Sequence, residues 1–162
     1  ARLLDLWFNT KYRFQEWSLT LKINLIDVRL STYQFPTGIC RKPRSILKYT
    51  EFKANELRSL LIFGFPILAM YLPAKFGRHF LLLATAANFC ESKTFCTDQI
   101  SYIKSLVEEF IFEFPLLYGE RENVISIHTV IHLTESIKQF GPVYNYSTFS
   151  FESYLGSYES LG

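Results

Sequence analysis

The chain has 162 residues, of which 49% are apolar and 20% charged, with 7 Gly and 6 Pro. That length and balance fit one domain with a sizeable core, and they exclude a disordered tail, a collagen-like repeat and a low-complexity linker. A net charge of +2 is too small for a wholly basic nucleic-acid binder, and 16 Phe, 10 Tyr and 2 Trp favour large buried contacts.

The first residues lack the pattern of a signal peptide, because Asp5 interrupts their only apolar run. Over Leu19–Ser31 two readings fit. Leu19, Leu21, Ile23 and Leu25 alternate as in a strand, while Ile26, Val28 and Leu30 shift phase and suit a helix. Residues 31–50, with Pro36, Gly38 and Pro43, read as a loop. A helix is expected over Glu51–Phe63, with a break at Gly64-Phe65-Pro66, a continuation over Ile67–Leu72 and a stop at Pro73. Arg78–Phe89 is apolar nearly all round and should be central. Ile100, Ile103, Leu106, Val107, Phe110, Ile111 and Phe114 recur at helical steps, so Leu106, Phe110 and Leu82 are expected in the core. Thr97 or Asp98 is placed to cap that helix, Pro115 to bend or end it, and Gly119 to stop it. A further helix is expected from Val124 to Phe140, closed by Gly141-Pro142, and a short one from Phe151. The predicted fold is mainly α, a bundle-like single domain over residues 1–162 with at most a short strand near the N-terminus.

Three cysteines, Cys40, Cys90 and Cys96, form no disulfide framework and match no common zinc spacing, which suits reduced thiols in an intracellular protein. The longest apolar run, Leu60–Leu72, is broken by Gly64 and Pro66 and falls short of the ~20 residues a membrane span needs, so no membrane partner is expected.

Charge is segregated along the chain. Cys40–Arg58 holds six basic residues (Arg41, Lys42, Arg44, Lys48, Lys53, Arg58) against Glu51 and Glu56, whereas residues 91–135 hold eight acids and three bases. Arg41, Lys42, Arg44 and Lys48 are therefore the candidate phosphate-binding residues. His128, His132 and Glu135 share one face of the expected helix, so a metal site is sterically possible there, although the zinc-protease pattern is absent. The sequence holds no G-x-S-x-G elbow, no recognisable cysteine nucleophile motif and no glycine-rich phosphate loop.

The segments Ile127-His128-Thr129-Val130-Ile131-His132-Leu133, Phe140-Gly141-Pro142-Val143 and Phe149-Ser150-Phe151-Glu152-Ser153-Tyr154-Leu155-Gly156 stand out together. They resemble the transposase-associated domain of unknown function carried by CACTA (En/Spm)-type DNA transposons and their animal transposon-derived relatives. Upstream, Arg41-Lys42-Pro43-Arg44-Ser45, Phe52-Lys53-Ala54-Asn55-Glu56-Leu57-Arg58 and Arg78-His79-Phe80-Leu81-Leu82-Leu83 are similar to the animal proteins, so the likeness covers about residues 20–158. Ser150 stands where the plant pattern has Pro, Ser153 where it usually has Arg, and Tyr146-Ser147 or nearby residues where it has an Arg-Trp pair.

The resemblance implies the C-terminal part of a longer, nuclear, cut-and-paste transposase. Such enzymes hold two Mg²⁺ ions with three acids on an RNase-H-like fold and use them for phosphodiester transfer. It makes Glu152 the candidate third acid and metal ligand, with His128 and His132 lining its groove. The chain alone, whose only aspartates are Asp5, Asp27 and Asp98, is expected to be inactive and to need no cofactor. The rival reading is a non-catalytic helical module that docks another protein through the acidic 91–135 face.

Overall fold

The computed structural model describes residues 1–37, 39, 41–91, 97–124, 127, 129–132 and 135. Among the described residues six α-helices carry the fold: α1 (Arg2–Phe8), α2 (Ile23–Thr32), α3 (Ala54–Ser59), α4 (Phe65–Tyr71), α5 (Ala74–Cys90) and α6 (Thr97–Tyr118). Short 3₁₀ turns at Thr10–Tyr12, Thr20–Lys22, Ile46–Glu51, Glu120–Glu122 and Thr129–His132 connect or extend them. The fold is mainly α, and the described residues contain no strand. None of their helices is long and apolar enough to cross a membrane.

α5 and α6 form the central pair and share the most extensive helix–helix contact. Ile103, Val107, Phe110 and Phe114 of α6 and Phe76, Phe80, Ala84 and Ala86 of α5 are buried between them and their neighbours. Gly77 lets α5 approach the backbone of α4: a Cβ there would stand 3.2 Å from the Ala69 carbonyl oxygen. Pro115 does not end α6. It lies in the last turn, and the helix runs on to Tyr118, followed by Gly119, whose φ of 92° favours glycine.

Helix α1 is not among the elements expected from the sequence. Leu3, Leu4, Leu6, Trp7 and Phe8 are all buried, while Arg2 and Asp5, three apart, mark its partly exposed edge; seven residues are too few for that pattern to declare a helix. The Trp7 ring meets Phe80 edge-on at 4.9 Å, and its indole N–H donates to the Tyr118 hydroxyl at 3.2 Å. Arg2 pairs with Asp5 and with Glu122, and the Tyr12 hydroxyl donates to Glu122 at 2.7 Å. The N-terminal segment is thereby tied to the turn that follows α6.

The ambiguous stretch near residue 20 is helical. Ile26 and Leu30 face the core, while Leu21, Leu25 and Val28 face solvent. The expected break at Gly64-Phe65-Pro66 is absent. The chain instead winds a π-turn over Leu60–Gly64 and runs straight into α4, with Pro66 in the first turn, where its missing N–H removes no needed bond. Leu106 and Phe110 are buried as expected, but Leu82 is only half-buried, since it packs at the join between two clusters. Within the expected helix from Val124 to Phe140, Ile127 is buried and Thr129–His132 forms a 3₁₀ turn. The expected helix from Phe151 lies outside the described residues.

Candidate nucleic-acid interface

The basic stretch is organised around one carboxylate. Lys53 is extended, α3 begins at the next residue, and Glu56 in the first turn reaches back to accept the Lys53 N–H at 3.0 Å. Glu56 is buried to 0% exposure. Arg44 approaches from the preceding loop. Its Nε–H donates to Glu56 Oε1 at 2.8 Å, its Nη2 to Oε2 at 3.0 Å and its backbone N–H to Oε1 at 3.2 Å. Arg44 Nη2 also donates to the Glu51 carbonyl at 2.6 Å. Four donors on two oxygens hold the carboxylate charged, and the Arg44 guanidinium foremost brings its pKa down to about 2.

Further bonds fix the loop on either side. The Ser59 hydroxyl donates to the Arg41 carbonyl at 2.8 Å, and the Ile46 N–H to Asp27 Oδ1 of α2 at 2.8 Å. Residues 41–53 are thus anchored to both α2 and α3. Of the four phosphate residues expected from the sequence, Arg41, Lys42 and Lys48 are exposed, and Arg44 is half-buried against Glu56. Arg41 Nε lies 3.7 Å from Glu56 Oε2 with its side chain still half in solvent. The Lys42 ammonium stands 5.9 Å over the Phe35 ring. Lys53 is exposed as well and belongs with this set. Arg58, the last of the basic run, turns away to Glu91 beyond the end of α5, its Nε–H donating at 2.9 Å. The surface that results is a braced loop whose one buried acid is neutralised from within, with Arg41, Lys42, Lys48 and Lys53 facing water.

Burial also fixes the state of a second polar side chain. His79 of α5 is fully buried, stacks on Phe110 with centroids 4.4 Å apart, and donates Nε2–H to the Phe110 carbonyl at 2.9 Å. Its Nδ1 has no partner. Desolvation lowers its pKa to about 4, so it is neutral at pH 7 and serves the core. The Cys90 thiol is buried too, and that burial, with Glu91 alongside, pushes it up to about 12, which suits an inert structural thiol. An apolar cavity of about 320 Å³ opens beside Leu3, Trp7, Leu60, Leu68, Phe80 and Phe110, and no described carboxylate, thiol or imidazole lines it.

Of the other candidates drawn from the sequence, two meet as a surface pair. His132 and Glu135 are both exposed and 2.9 Å apart, Nδ1 to Oε2. His128 and Glu152 lie outside the described residues. Among the described residues no group of three or more His, Cys, Asp or Glu forms a cluster. Glu56 and His79 lie in the upstream segments 52–58 and 78–83 that carry the resemblance, but neither is a candidate site residue there. The Lys53-x-x-Glu56 spacing at a helix start is nevertheless visible in the chain, whereas His79 has no local signal beyond one imidazole in an apolar run. No family model matches the chain, and no curated protein or solved structure matches it either.

Proposed function

We propose that the chain is the helical, C-terminal part of a transposase-type protein and that it holds duplex DNA by its phosphates through Arg41, Lys42, Lys48 and Lys53. One observation carries the proposal. The four cations face water on a loop braced to α2 and α3, while Glu56, an acid within the stretch, is buried and neutralised by Arg44. Cations held in place around a buried, neutralised acid suit a regular row of phosphates, and such contacts position a duplex without reading its sequence. The parent protein then works in the nucleus, with Glu152 as third acid beside upstream acids that hold Mg²⁺. Among the described residues no such cluster assembles.

The test is the affinity of the chain for random-sequence duplexes as salt is raised. Each neutralised phosphate contributes about −0.9 to the log–log slope, so four cations predict a slope of roughly −3 to −4, alike for all sequences. A flat salt response contradicts the proposal.

A specific observation favours the interaction-module reading as a second. Leu21, Leu25 and Val28 are exposed at helical spacing at and before α2, and Phe112 and Leu116 on the acidic α6. Duplex affinity that survives loss of the four cations, together with protein capture lost on Leu25→Glu or Phe112→Lys, would favour it.

A further inference from the structure

A groove of about 460 Å³ lies between α2 and α4, adjoining the basic loop. Its volume falls within the roughly 300–1,000 Å³ of small-molecule sites. Tyr33 and Tyr71 supply two rings, Ile67 and Met70 an apolar floor, and Arg29 and Gln34 N–H donors. No carboxylate lines it. Met70 is 68% exposed, so its flexible thioether side chain is open to a ligand entering from solvent.

Cations stand on both sides of the groove. The Lys22 ammonium donates to the Tyr71 carbonyl at 3.3 Å. On the other side the Tyr33 ring meets Phe35 edge-on at 5.0 Å, and Lys42 lies over that Phe35 ring. A path of aromatic contact thus joins the groove to a cation already assigned to phosphate. Flat apolar walls, donors without acids and flanking positive charge match one ligand chemistry: a planar, acceptor-bearing ring attached to a phosphate chain. In a duplex the base faces are covered by their neighbours, so only a base out of the stack can enter.

We infer that this groove seats an unpaired nucleobase of single-stranded DNA while Lys22 and Lys42 hold the adjoining phosphates. The inference rests on the DNA reading above and adds a preference for strand ends or gaps over continuous duplex. An acidic peptide is the competing occupant, since the cations alone would serve it; two tyrosines on the lining, with Tyr33 held edge-on by Phe35, favour the base.

The experiment compares three probes on the 162-residue chain: a short oligo(dT), an abasic strand of equal length and charge, and a duplex. Oligo(dT) should bind more tightly than the abasic strand. Tyr33→Leu should weaken oligo(dT) roughly 5- to 150-fold, the loss of one stacked base, and leave the duplex unchanged. Tyr33 also supports Phe35, so Met70→Glu is the second variant: the exposed site tolerates it, and a carboxylate in the groove should again weaken oligo(dT) selectively. Equal binding of oligo(dT) and the abasic strand, with the duplex still bound, overturns the groove and leaves the phosphate reading standing. Binding of none of the three ends both. Displacement by poly-glutamate that depends on Met70, with oligo(dT) indifferent to it, assigns the groove to a peptide and overturns the inference.

Discussion

Two buried polar side chains, Glu56 beneath the basic loop and His79 in the α5–α6 core, show opposite ways of surviving burial. Glu56 keeps its charge because Arg44 and two backbone N–H groups reach it, and its pKa falls. His79 has one hydrogen bond and an unpartnered Nδ1, so it gives up its charge and its pKa falls for the opposite electrostatic reason. Neutralising Glu56 chiefly through Arg44 leaves Lys42, Lys48 and Lys53 exposed. The histidine does packing, stacked between helices and facing no solvent.

The largest effect should come from breaking the charged partner alone. Arg44→Ala leaves Glu56 buried with only N–H groups and the more distant Arg41 as partners, so it should lower the urea midpoint more than any other change named here. Urea denaturation reads it directly. A loss below about 1 kcal/mol, the range of exposed pairs, would mean that the loop is not braced as described.

Acid titration separates the two sites. The folded pKa of His79, about 4, lies below the ordinary 6.5, so the unfolded chain takes up the proton first. Stability from the neutral imidazole should fall between about pH 6.5 and 4, by roughly 3 kcal/mol in all, and then level off. The folded pKa of Glu56 is also depressed, from 4.5 to about 2, so its contribution is complete above 4.5 and is lost as the pH falls toward 2. His79→Phe should remove the upper stage only, and Glu56→Gln the lower only. A single stage that both variants shift together would contradict the separation.

How much of this is legible in the sequence follows from the same contrast. Amphipathic helices declare themselves: α6 can be read residue by residue because its buried positions recur at three and four, and Gly119 and the buried Phe110 follow from it. Helix α1 is harder to read, because its polar edge consists only of Arg2 and Asp5 and seven residues span barely two turns. Pro66 misleads because it lies in the first turn of α4, where a missing N–H costs little and a rule written for helix interiors does not apply. Pro115 does forfeit the bond to the carbonyl four residues back, but α6 ends only three residues later, at Tyr118. At the site, the basic run is plain from charge, but the division of labour within it is not. Which of Arg41, Lys42, Arg44 and Lys48 turns inward depends on where Glu56 lands, a contact made across twelve residues.

A smaller effect sharpens the picture of the brace. Ser59→Ala removes the hydroxyl that donates to the Arg41 carbonyl and should cost about 1 kcal/mol, with the His79 stage of the acid titration unchanged. No loss at all would place the restraint of Arg41 elsewhere.

The phosphate reading of the braced loop is tested most directly by a variant that removes Lys42, Lys48 and Lys53 together, each to Ala. All three are exposed, so the urea midpoint should stay where it is. The measurement is the slope of log duplex affinity against log salt in the variant and in the unchanged protein. The expected result is a slope shallower by about 2.7, near 0.9 for each lysine, with affinity weakened equally for every sequence. An unchanged slope and affinity in a folded variant would contradict it and take the loop out of DNA binding.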